Sequence, residues 1–422
     1  MSFVVNGSEP RHMKILVLNS GSSTQKTALF DLGPEPSDEP VAPLWEGKLE
    51  WDGDKEKLTV QNSDGKKVNK ESTIQHGDRN ASVEKLLTKV WESPTQVIDD
   101  RSAIEVVGHR IVHGGPHLNQ PALITSDVKQ AIKDVSSIAP LHNAAGLQGI
   151  ELAEQLFPKT KQIAVFDTGF HRTLPLAAKV YPGPYKWFES DIRRYGFHGI
   201  NHEYCAHRAA HLLKRDVTAL KIVSCHLGNG CSLAAIDGGK SIDTTMGFTP
   251  LEGIMMGTRS GSVDPGILIH LMRTEAASAR DLDETLNRQS GLLGISGISS
   301  DMRDVLDAAS KGNERAKLAV DIFVHRLQAG IASMAASLGG VDVIVFTAGI
   351  GENAPTVRRD ACAKLGFVGV QLDQTNNSSA KSDAEISASH SAVRVFVIGA
   401  QEDWSIAREC VRLSRQPHTD IK

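Results

Sequence analysis

The sequence has few cysteines and no long apolar run. Its 422 residues include five cysteines, an odd number without a CxxC pair, so neither a disulfide framework nor a zinc site is supported. This cysteine usage fits a reducing cytoplasm, which is the compartment that we expect. No apolar stretch reaches the roughly 18 residues that a membrane-spanning helix needs. Residues 1–12 also lack the pattern of a signal peptide, so we expect a flexible extension there.

The chain also lacks an excess of either charge. Its formal net charge is −4, with 23% charged and 40% hydrophobic residues. This balance gives no reason to expect nucleic acid or an anionic membrane as a partner. A length of 422 residues exceeds what one simple core supports, so we expect two domains.

Strands and helices alternate along the chain, and one arrangement occurs twice. An apolar strand at residues 14–18 leads through a polar turn into a second strand at 27–31. Residues 222–225 and 232–236 repeat this order. Such self-similarity indicates a duplicated α/β fold, in which two related halves face each other across a cleft.

The remaining segments complete this α/β prediction. Further buried strands are expected at residues 106–108, 162–166, 343–346 and 395–398, and helices at 128–137, 144–156, 201–213, 316–338 and 402–414. Residues 33–40 and 374–391 are predicted to be surface connections because they are rich in proline and acid or in serine and asparagine. The domain boundary is expected near Asp167, where the last strand of the first half ends.

Three glycine-bearing turns each follow a predicted buried strand, at residues 19–23, 226–230 and 349–353. Glycine lets backbone N–H groups converge on an anion, and hydroxyl or amide side chains add donors. One such turn alone is more simply interpreted as a β-turn, but three of them favour phosphate binding. None matches a Walker loop or a GxGxxG fingerprint.

Charged and imidazole side chains lie close to these turns in sequence. Arg110 in GHRIVHGG and Arg259 in GTRSG are flanked by glycine, which suits a guanidinium that forks onto a carboxylate or phosphate. A structural arginine that bonds loop carbonyls is the alternative. His142 and His198 follow apolar residues in short loops, where a satisfied core histidine is the commoner reading. His198 and His202 have helical metal-ligand spacing, but no third ligand follows, so zinc is not expected.

Two acids follow buried strands. Asp167 ends a strand in VFDT, and Glu402 comes just after a late strand. Mg²⁺ prefers one or two carboxylates together with phosphate oxygens, which two such acids could supply. Either acid could instead cap a helix.

Ten features run in order along residues 13–414. They are NSGSSTQK, GHRIVHGG, APLHNAAGL, FDTGFHRTLP, YGFHG, HLGNG, DTTMGFTPLEGIMMGTRSG, SSDMRD, FTAGIGEN and Glu402. In this order they resemble the acetate kinase family of short-chain carboxylate kinases, within the sugar kinase, heat-shock protein and actin superfamily. The resemblance implies a duplicated ribonuclease-H-like, actin-like ATPase fold and a homodimer. It also implies direct, reversible transfer of the ATP γ-phosphoryl group to acetate, which gives acetyl phosphate and ADP.

The resemblance assigns roles to the matching residues. Residues 13–166 with about 403–422 would form the N-terminal domain, and residues 167–402 the nucleotide-binding C-terminal domain. The catalytic residues would be Arg110 and Arg259 as clamps, His198 as donor to the equatorial oxygens, and His142, Asp167 and Asn19. Mg²⁺, or Mn²⁺ in its place, would be organised by Asn19, Asp167 and Glu402. ATP or ADP would contact Lys26, His226, Leu227, Gly228, Asn229, Gly230, Asp301, Met302, Arg303, Gly349, Ile350, Gly351, Glu352 and Asn353.

The resemblance also implies an acyl pocket. With Arg110, its residues would be Val112, Leu141, Phe197 and Pro250. Valine at the first of the four leaves less room than alanine, so acetate is favoured over propionate. Because one methylene is worth only about 1–3 kcal/mol in such a pocket, we expect propionate to be a slow substrate.

The sequence departs from the family pattern at three places, and two rival functions are considered. The chain reads GINH at 199–202 where GTSH is usual, GAQED at 399–403 where PTNEE is usual, and has Ser262 where an acid is common. The close rival is a propionate or butyrate kinase. The distant rival is an actin-like ATPase switch without a carboxylate acceptor, which would consume ATP without any dependence on the acid.

Overall fold

The computed structural model describes residues 12–21, 24–73, 79–137 and 140–415, with the backbone alone at residues 52, 137 and 140–142. Apart from His12, the extension predicted for residues 1–12 therefore lies outside the described residues. So do Ser22 and Ser23 of the first glycine-bearing turn.

The strands and helices of the described residues follow one another in a mixed order. The strands are β1 Met13–Ser20, β2 Thr24–Leu32, β3 Trp45–Asp52, β4 Lys55–Asn62, β5 Lys67–Thr73, β6 Val106–Ile111, β7 Ala122–Leu123, β8 Lys161–Phe166, β9 Lys221–Leu227, β10 Cys231–Asp237, β11 Lys240–Thr244, β12 Val343–Thr347, β13 Ala384–Glu385 and β14 Arg394–Val397. The helices are α1 Arg79–Thr88, α2 Ser126–Asp134, α3 Pro140–Leu156, α4 Leu176–Lys179, α5 Lys186–Glu189, α6 Gly199–Leu213, α7 Pro265–Thr274, α8 Ala279–Arg288, α9 Gly291–Ser296, α10 Met302–Ser310, α11 Glu314–Leu338, α12 Ala348–Asn353, α13 Pro355–Cys362, α14 Gln374–Ser379 and α15 Glu402–Ser414.

The chain divides into two compact units. Unit 1 contains the described residues up to Gly169 and those from Gln401 onward, and unit 2 is Phe170–Ala400. Within the described residues, no helix combines the length and the apolar character that crossing a membrane requires.

Unit 1 is built on a mixed sheet with the strand order β5-β4-β3-β2-β1-β6-β8-β7. Strands β1 and β2 form an antiparallel hairpin, while β6 runs parallel to both β1 and β8. Residues 15–20 of β1 are all buried, and helices α3 and α15 pack against β1 and β6. A continuous apolar run is what such a covered central strand needs.

Unit 2 is built on a second mixed sheet with the strand order β11-β10-β9-β12-β14-β13. Strands β9 and β10 form an antiparallel hairpin, while β12 runs parallel to both β9 and β14. The long helix α11 packs against β9 and β10, and α6 packs against β9 and β12.

The two sheets share a five-strand core with one topology. The order β3-β2-β1-β6-β8 in unit 1 corresponds to β11-β10-β9-β12-β14 in unit 2, with the same parallel and antiparallel pairings throughout. The predicted α/β class and duplicated ribonuclease-H-like fold are thereby confirmed.

Three local predictions need correction. Residues 374–391, predicted to be a surface connection, contain α14 and the edge strand β13. Residues 349–353, predicted to be a turn, belong to α12, which winds into a helix directly after Ala348 takes a left-handed backbone conformation at φ 64°. The strands β3, β4 and β5, which extend the first hairpin, were not predicted.

Candidate active site

Arg110 is the centre of a charged group in unit 1. It lies in β6 beside Asp167, which directly follows the parallel neighbour β8. Its Nε donates to both carboxylate oxygens of Asp167 at 3.1 Å, and its Nη2 donates to Oδ2 at 2.5 Å. Nη1 donates to Asn19 Oδ1 at 3.1 Å and lies 3.7 Å from Glu402 Oε2. The guanidinium predicted to clamp a substrate is thus held in place by unit 1 itself.

Asn19 links this ion pair to the start of α15. Its Nδ2 donates to Asp403 Oδ1 at 3.0 Å and to Glu402 Oε2 at 3.3 Å. Lys26, predicted to contact the nucleotide, pairs with Asn19 in the β1–β2 register, and its positive charge acts on Asp403. The structure therefore brings Asn19, Asp167 and Glu402 together as predicted, and it adds Asp403, which sequence reasoning did not select.

The pKa values of these charged side chains in unit 1 reflect an excess of carboxylates over cations. Burial alone would lower the pKa of Arg110, but the charges of Asp167 and Glu402 raise it above the usual value. Burial raises the pKa of Asp167 and of Asp403, and Glu402 raises both further, against the effect of Arg110. Three acids thus share one buried guanidinium, a balance that an added cation would improve.

The donor set of unit 1 fits a hard cation such as Mg²⁺. It offers carboxylate oxygens from Asp167 and Glu402 and an amide oxygen from Asn19, and Mg²⁺ prefers oxygen ligands while keeping several of its waters. Among the described residues, no three His, Cys, Asp or Glu side chains are grouped closely enough to hold a metal by themselves.

The other predicted residues of unit 1 are only partly described. Val112 is buried just after β6. Leu141 and His142 lie in the first turn of α3, not in a loop, and their side chains fall outside the described residues.

In unit 2, the turn of the β9–β10 hairpin is a compact backbone structure. The N–H of Gly228 donates to the carbonyl of Gly230 at 3.0 Å, and the N–H of Gly257 donates to the carbonyl of Asn229 at 3.1 Å. Of the predicted residues, His226 and Leu227 end β9, and Gly228, Asn229 and Gly230 form the turn, which is fastened to the segment that carries Arg259.

Arg259 is a partly buried cation without an acidic partner among the described residues. Its Nη1 donates to the carbonyl of Pro250 at 3.1 Å and lies 3.9 Å from the sulfur of Met256. Burial lowers the pKa of its guanidinium. Removing a guanidinium from water without giving it a counter-ion costs free energy, so the arrangement is suited to receive an anion.

His198 and Arg259 converge on the glycine turn. The position that a Cβ on Gly230 would occupy lies 3.4 Å from Arg259 Nη1 and 3.4 Å from His198 Nε2. His198 has a left-handed backbone with φ 56°, which is uncommon for a residue with a side chain and is often found at functional sites. Glycine at position 230 leaves room for three kinds of donor to surround one anion: backbone, imidazole and guanidinium.

A half-buried set of hydrogen bonds braces the loop between β11 and Arg259. Arg194 donates to the carbonyls of Thr244, Thr245 and Met246 at 3.0–3.1 Å and to Glu252 Oε1 at 2.7 Å. Glu252 also accepts from the hydroxyl of Tyr181. This brace fixes the loop that contains Pro250, and sequence reasoning did not find it because its members are up to 71 residues apart.

The residues predicted to surround adenosine belong to two helices of unit 2, α10 with its cap and α12. Asp301 caps α10 and pairs with Arg303, whose side chain is 84% exposed. The Met302 side chain is buried, so only its backbone could face a nucleotide. In α12, Glu352 accepts from the N–H of Ala400 at 3.0 Å, and Asn353 donates to the carbonyl of Gly349 at 2.9 Å.

Phe197 and Pro250, predicted for the acyl pocket, lie beside His198 and Arg259 of unit 2. The Phe197 side chain is buried, and its carbonyl accepts a hydrogen bond from His171. Pro250 is held by Arg259. The structure thus joins one predicted pocket residue directly to one predicted clamp.

Comparisons with known proteins agree over almost the whole chain. Residues 14–408 match the model of the Acetokinase family. A protein of Gloeobacter violaceus named acetate kinase is 56% identical over 402 residues, which cover 94% of this chain and 98% of that protein. A Cyanothece protein of the same name is 53% identical over 403 residues, covering 95% and 98%.

Solved structures give the same picture of the fold. The acetate kinase of Porphyromonas gingivalis aligns with a TM-score of 0.87 at 38% identity, covering 96% of this chain and all of that one. A propionate kinase from Francisella tularensis aligns with a TM-score of 0.85, also at 38% identity, covering 94% and 98%. Similarity of fold therefore does not separate the two acids.

Proposed function

This chain belongs to the acetokinase family and is a carboxylate kinase with ATP as co-substrate, and we propose that its acceptor is acetate. The carboxylate oxygen forms a bond to the γ-phosphorus, and the bond from that phosphorus to the β,γ-bridging oxygen breaks, so that the electron pair leaves with ADP. The products are acetyl phosphate and ADP, and the reaction is reversible.

One observation carries the chemistry: Arg259, His198 and the glycine turn surround one point in unit 2. A transferring phosphoryl group has charge on three equatorial oxygens and needs alignment and charge stabilisation more than covalent help. A guanidinium without an acidic partner supplies the charge, and imidazole and backbone N–H groups supply directed donors. The acceptor carboxylate is ionised at pH 7, so no general base is required.

Unit 1 supplies the oxygen ligands for Mg²⁺ in this proposal. Asp167 and Glu402 would hold the ion, and Asn19 would orient them, since its amide already bridges Arg110 and the acids at α15. When bound, Mg²⁺ would neutralise phosphate charge. Arg110 holds the acids in place, and its remaining N–H groups would donate to the substrate. Mn²⁺ could replace Mg²⁺ because it shares the preference for oxygen ligands.

Acetate is proposed over longer acids on the volume of the side chain at position 112. Val112 has two more carbon atoms than alanine, so it leaves less space for a second methylene. Because a propionate kinase is among the similar structures, propionate is the second candidate, with the same chemistry and residues.

We also propose a homodimer, supported by the surface of α7. No residue of this helix is buried, and its apolar side chains Ile267, Ile269 and Met272 are 48%, 51% and 51% exposed. A ten-residue helix that fully buries none of its side chains is marginal in water. A second copy of the chain would bury these side chains. The five cysteines are all buried and unpaired, which agrees with the proposed cytoplasmic location.

Trapping the product with hydroxylamine tests the proposal. The protein is incubated with ATP and Mg²⁺ together with acetate, propionate, butyrate or no acid, and acyl hydroxamate and free phosphate are both measured. Most product with acetate supports the proposal. Most product with propionate or butyrate keeps the chemistry but contradicts the acceptor, and phosphate release without hydroxamate indicates an ATPase switch.

A further inference from the structure

A chain of buried hydrogen bonds lies behind His198. The Nδ1 of His198 is 2.9 Å from the hydroxyl of Ser232, and the same hydroxyl is 2.8 Å from Nε2 of His202. On the far side, Nδ1 of His202 is 2.9 Å from the hydroxyl of Ser224. His202, Ser224 and Ser232 have no exposed surface. The order Ser224, His202, Ser232, His198 thus leads from the core of unit 2 to the phosphoryl-binding point.

His202 can donate in only one direction because it is neutral. Burial, reinforced by His171 and His226, lowers its pKa well below the usual value. A neutral imidazole has one N–H donor and one acceptor nitrogen, and a serine hydroxyl has a single hydrogen to donate. When the single Ser232 hydrogen goes to one of its two histidine neighbours, the four groups all donate toward His198 or all donate away from it.

Hydrogen counting favours donation toward His198. If His202 donated to Ser224, the Ser224 hydrogen would need another acceptor in the core. The neighbouring Cys205 is hydrogen-bonded to Ser224, but burial raises the pKa of this thiol to about 12, so its protonated sulfur is a weak acceptor and can itself donate to the Ser224 oxygen. If Ser224 donates to His202 instead, every hydroxyl hydrogen has a nitrogen acceptor. His202 Nε2–H then donates to Ser232, and Ser232 donates to His198 Nδ1.

We propose that Ser232 and His202 are positioning residues that keep the proton of His198 on Nε2. A nitrogen that accepts from Ser232 carries no hydrogen, so the neutral ring of His198 has its N–H at Nε2, on the side of Gly230 and Arg259. This inference rests on the proposed function: the N–H points at the equatorial oxygens before the phosphoryl group arrives.

His226, the neighbour of His198, is also held by a hydrogen bond at its Nδ1. Asn201 Nδ2 lies 2.9 Å from Nδ1 of His226, and the Nε2 of His226 lies 3.6 Å from the position of a Cβ on Gly228. The rings of His198 and His226 stack on each other, and both are thus fixed from behind through Nδ1 and present Nε2 to the glycine turn. Two independent side chains, Ser232 and Asn201, produce this one orientation.

The first test uses two serine variants of the full chain. Ser232→Ala removes the hydroxyl behind His198. Ser241→Ala is the matched control, because Ser241 is equally buried and its hydroxyl lies 2.7 Å from Nδ1 of another buried histidine, His171. We expect Ser232→Ala to lower kcat about 10- to 100-fold, as loss of a supporting hydrogen bond commonly does, with little change in KM for ATP. Ser241→Ala should change Tm but not kcat, and equal loss of kcat in both variants overturns the proposal.

The second test observes the tautomer without any turnover. Ring ¹⁵N NMR of histidine-labelled, ligand-free protein, assigned with His198→Asn, distinguishes a protonated Nε2 from a protonated Nδ1. We expect protonated Nε2 in the native protein and a mixture in Ser232→Ala. Protonated Nδ1 in the native protein overturns the proposal. Because this measurement needs no substrate, it decides the proposal even if hydroxylamine trapping finds no kinase activity.

Two variants of His202 provide a third test, which still applies if the serine variants misfold. His202→Gln retains an amide N–H that can reach Ser232, whereas His202→Leu has no donor. The proposal requires higher kcat in the glutamine variant than in the leucine variant, with the tautomer of His198 retained only in the former. Equal kcat in the two variants overturns it.

Discussion

The imidazole rings of His198 and His226 stack with their centroids 4.0 Å apart and their planes 10° from parallel. The contact couples a residue that precedes α6 to a residue of β9 in unit 2. Because each ring limits the rotation of the other, a change in the support of one ring is expected to affect both.

Replacing Asn201 with aspartate tests the support of His226. The amide of Asn201 donates to Nδ1 of His226, whereas a carboxylate can only accept, so His226 would have to carry its hydrogen on Nδ1. We expect Asn201→Asp to lower kcat about 10- to 100-fold. Asn201→Ser keeps a donor and should lose less. Steady-state kinetics beside thermal unfolding make the comparison, and native-like turnover in Asn201→Asp counts against an orienting role.

Arg259→Ala is expected to abolish most turnover. Among the described residues, this guanidinium at the glycine turn has no acidic partner. An arginine that stabilises transferring phosphoryl charge is worth about 10³-fold or more in kcat. Arg259→Lys keeps the charge without the fork and should remain well below native. The exposed Arg288→Ala serves as control. Near-normal kcat in Arg259→Ala, measured as acyl hydroxamate, would remove Arg259 from the mechanism.

Val112→Ala is expected to shift preference toward propionate. Enlarging the predicted acyl pocket by two carbons should raise the ratio of propionate to acetate kcat/KM about tenfold, the scale of one methylene. Val107→Ala is the matched control, because Val107 is a buried valine of β6 with no predicted contact to substrate. A ratio that does not move, or moves equally in the control, contradicts the pocket assignment.

Stability is expected to fall between pH 6.5 and about 4 because of two buried histidines. Burial lowers the pKa of His109 and of His171 from 6.5 to about 4, against the hydrogen bonds that these rings donate to Gln162 Oε1 and to the Phe197 carbonyl. The unfolded chain therefore binds more protons in this window, so stability is present above pH 6.5 and decreases by up to about 1.4 kcal/mol per pH unit for each group.

Calorimetry of native protein and His109→Gln at several pH values measures this effect. Glutamine cannot titrate, so the variant should lose less stability on acidification than the native chain does. The comparison is needed because Asp167 and Asp403, whose pKa values are raised, act in the opposite sense. Parallel pH profiles for the two proteins would refute the contribution of His109.

A charge on α7 is expected to break the proposed dimer. Ile269→Asp places a carboxylate on a helix that has no buried residue, and a charge left in an apolar interface is costly. Leu318→Asp is the control, because Leu318 is also 51% exposed but lies on α11. Light scattering after size-exclusion chromatography should show monomers for Ile269→Asp alone. Two dimeric variants would mean that α7 is not the interface.

The repeated hairpins and the long helices could be predicted because their signals are local. An unbroken apolar run marks β1, and the helical period of residues 316–338 marks α11. Strands β3 and β4 were missed because residues 45–62 mix charged with apolar side chains. One side of these strands is solvated, as the alternating burial of β4 shows.

The contacts within the site depend on register and could only partly be predicted. The spacing of four residues between His198, which directly precedes α6, and His202, which lies in its first turn, was a usable signal. The position of Ser232 opposite His226 depends on how β9 pairs with β10. The ion pair between Arg110 and Asp167 depends likewise on the pairing of β6 with β8, so Arg110 was predicted as a clamp without its partner.

The shared topology of the two units lets the charges at equivalent hairpins be compared. The β1–β2 hairpin and the β9–β10 hairpin occupy the same place in the strand order, and a duplication begins with equivalent residues at such places. The first now gathers carboxylates around Asn19, while the second gathers imidazoles and a guanidinium around Gly230. Equivalent positions have thus diverged to opposite polarity, one suited to a cation and the other to an anion. A substitution that is harmless at one hairpin should therefore be damaging at its counterpart whenever it changes charge.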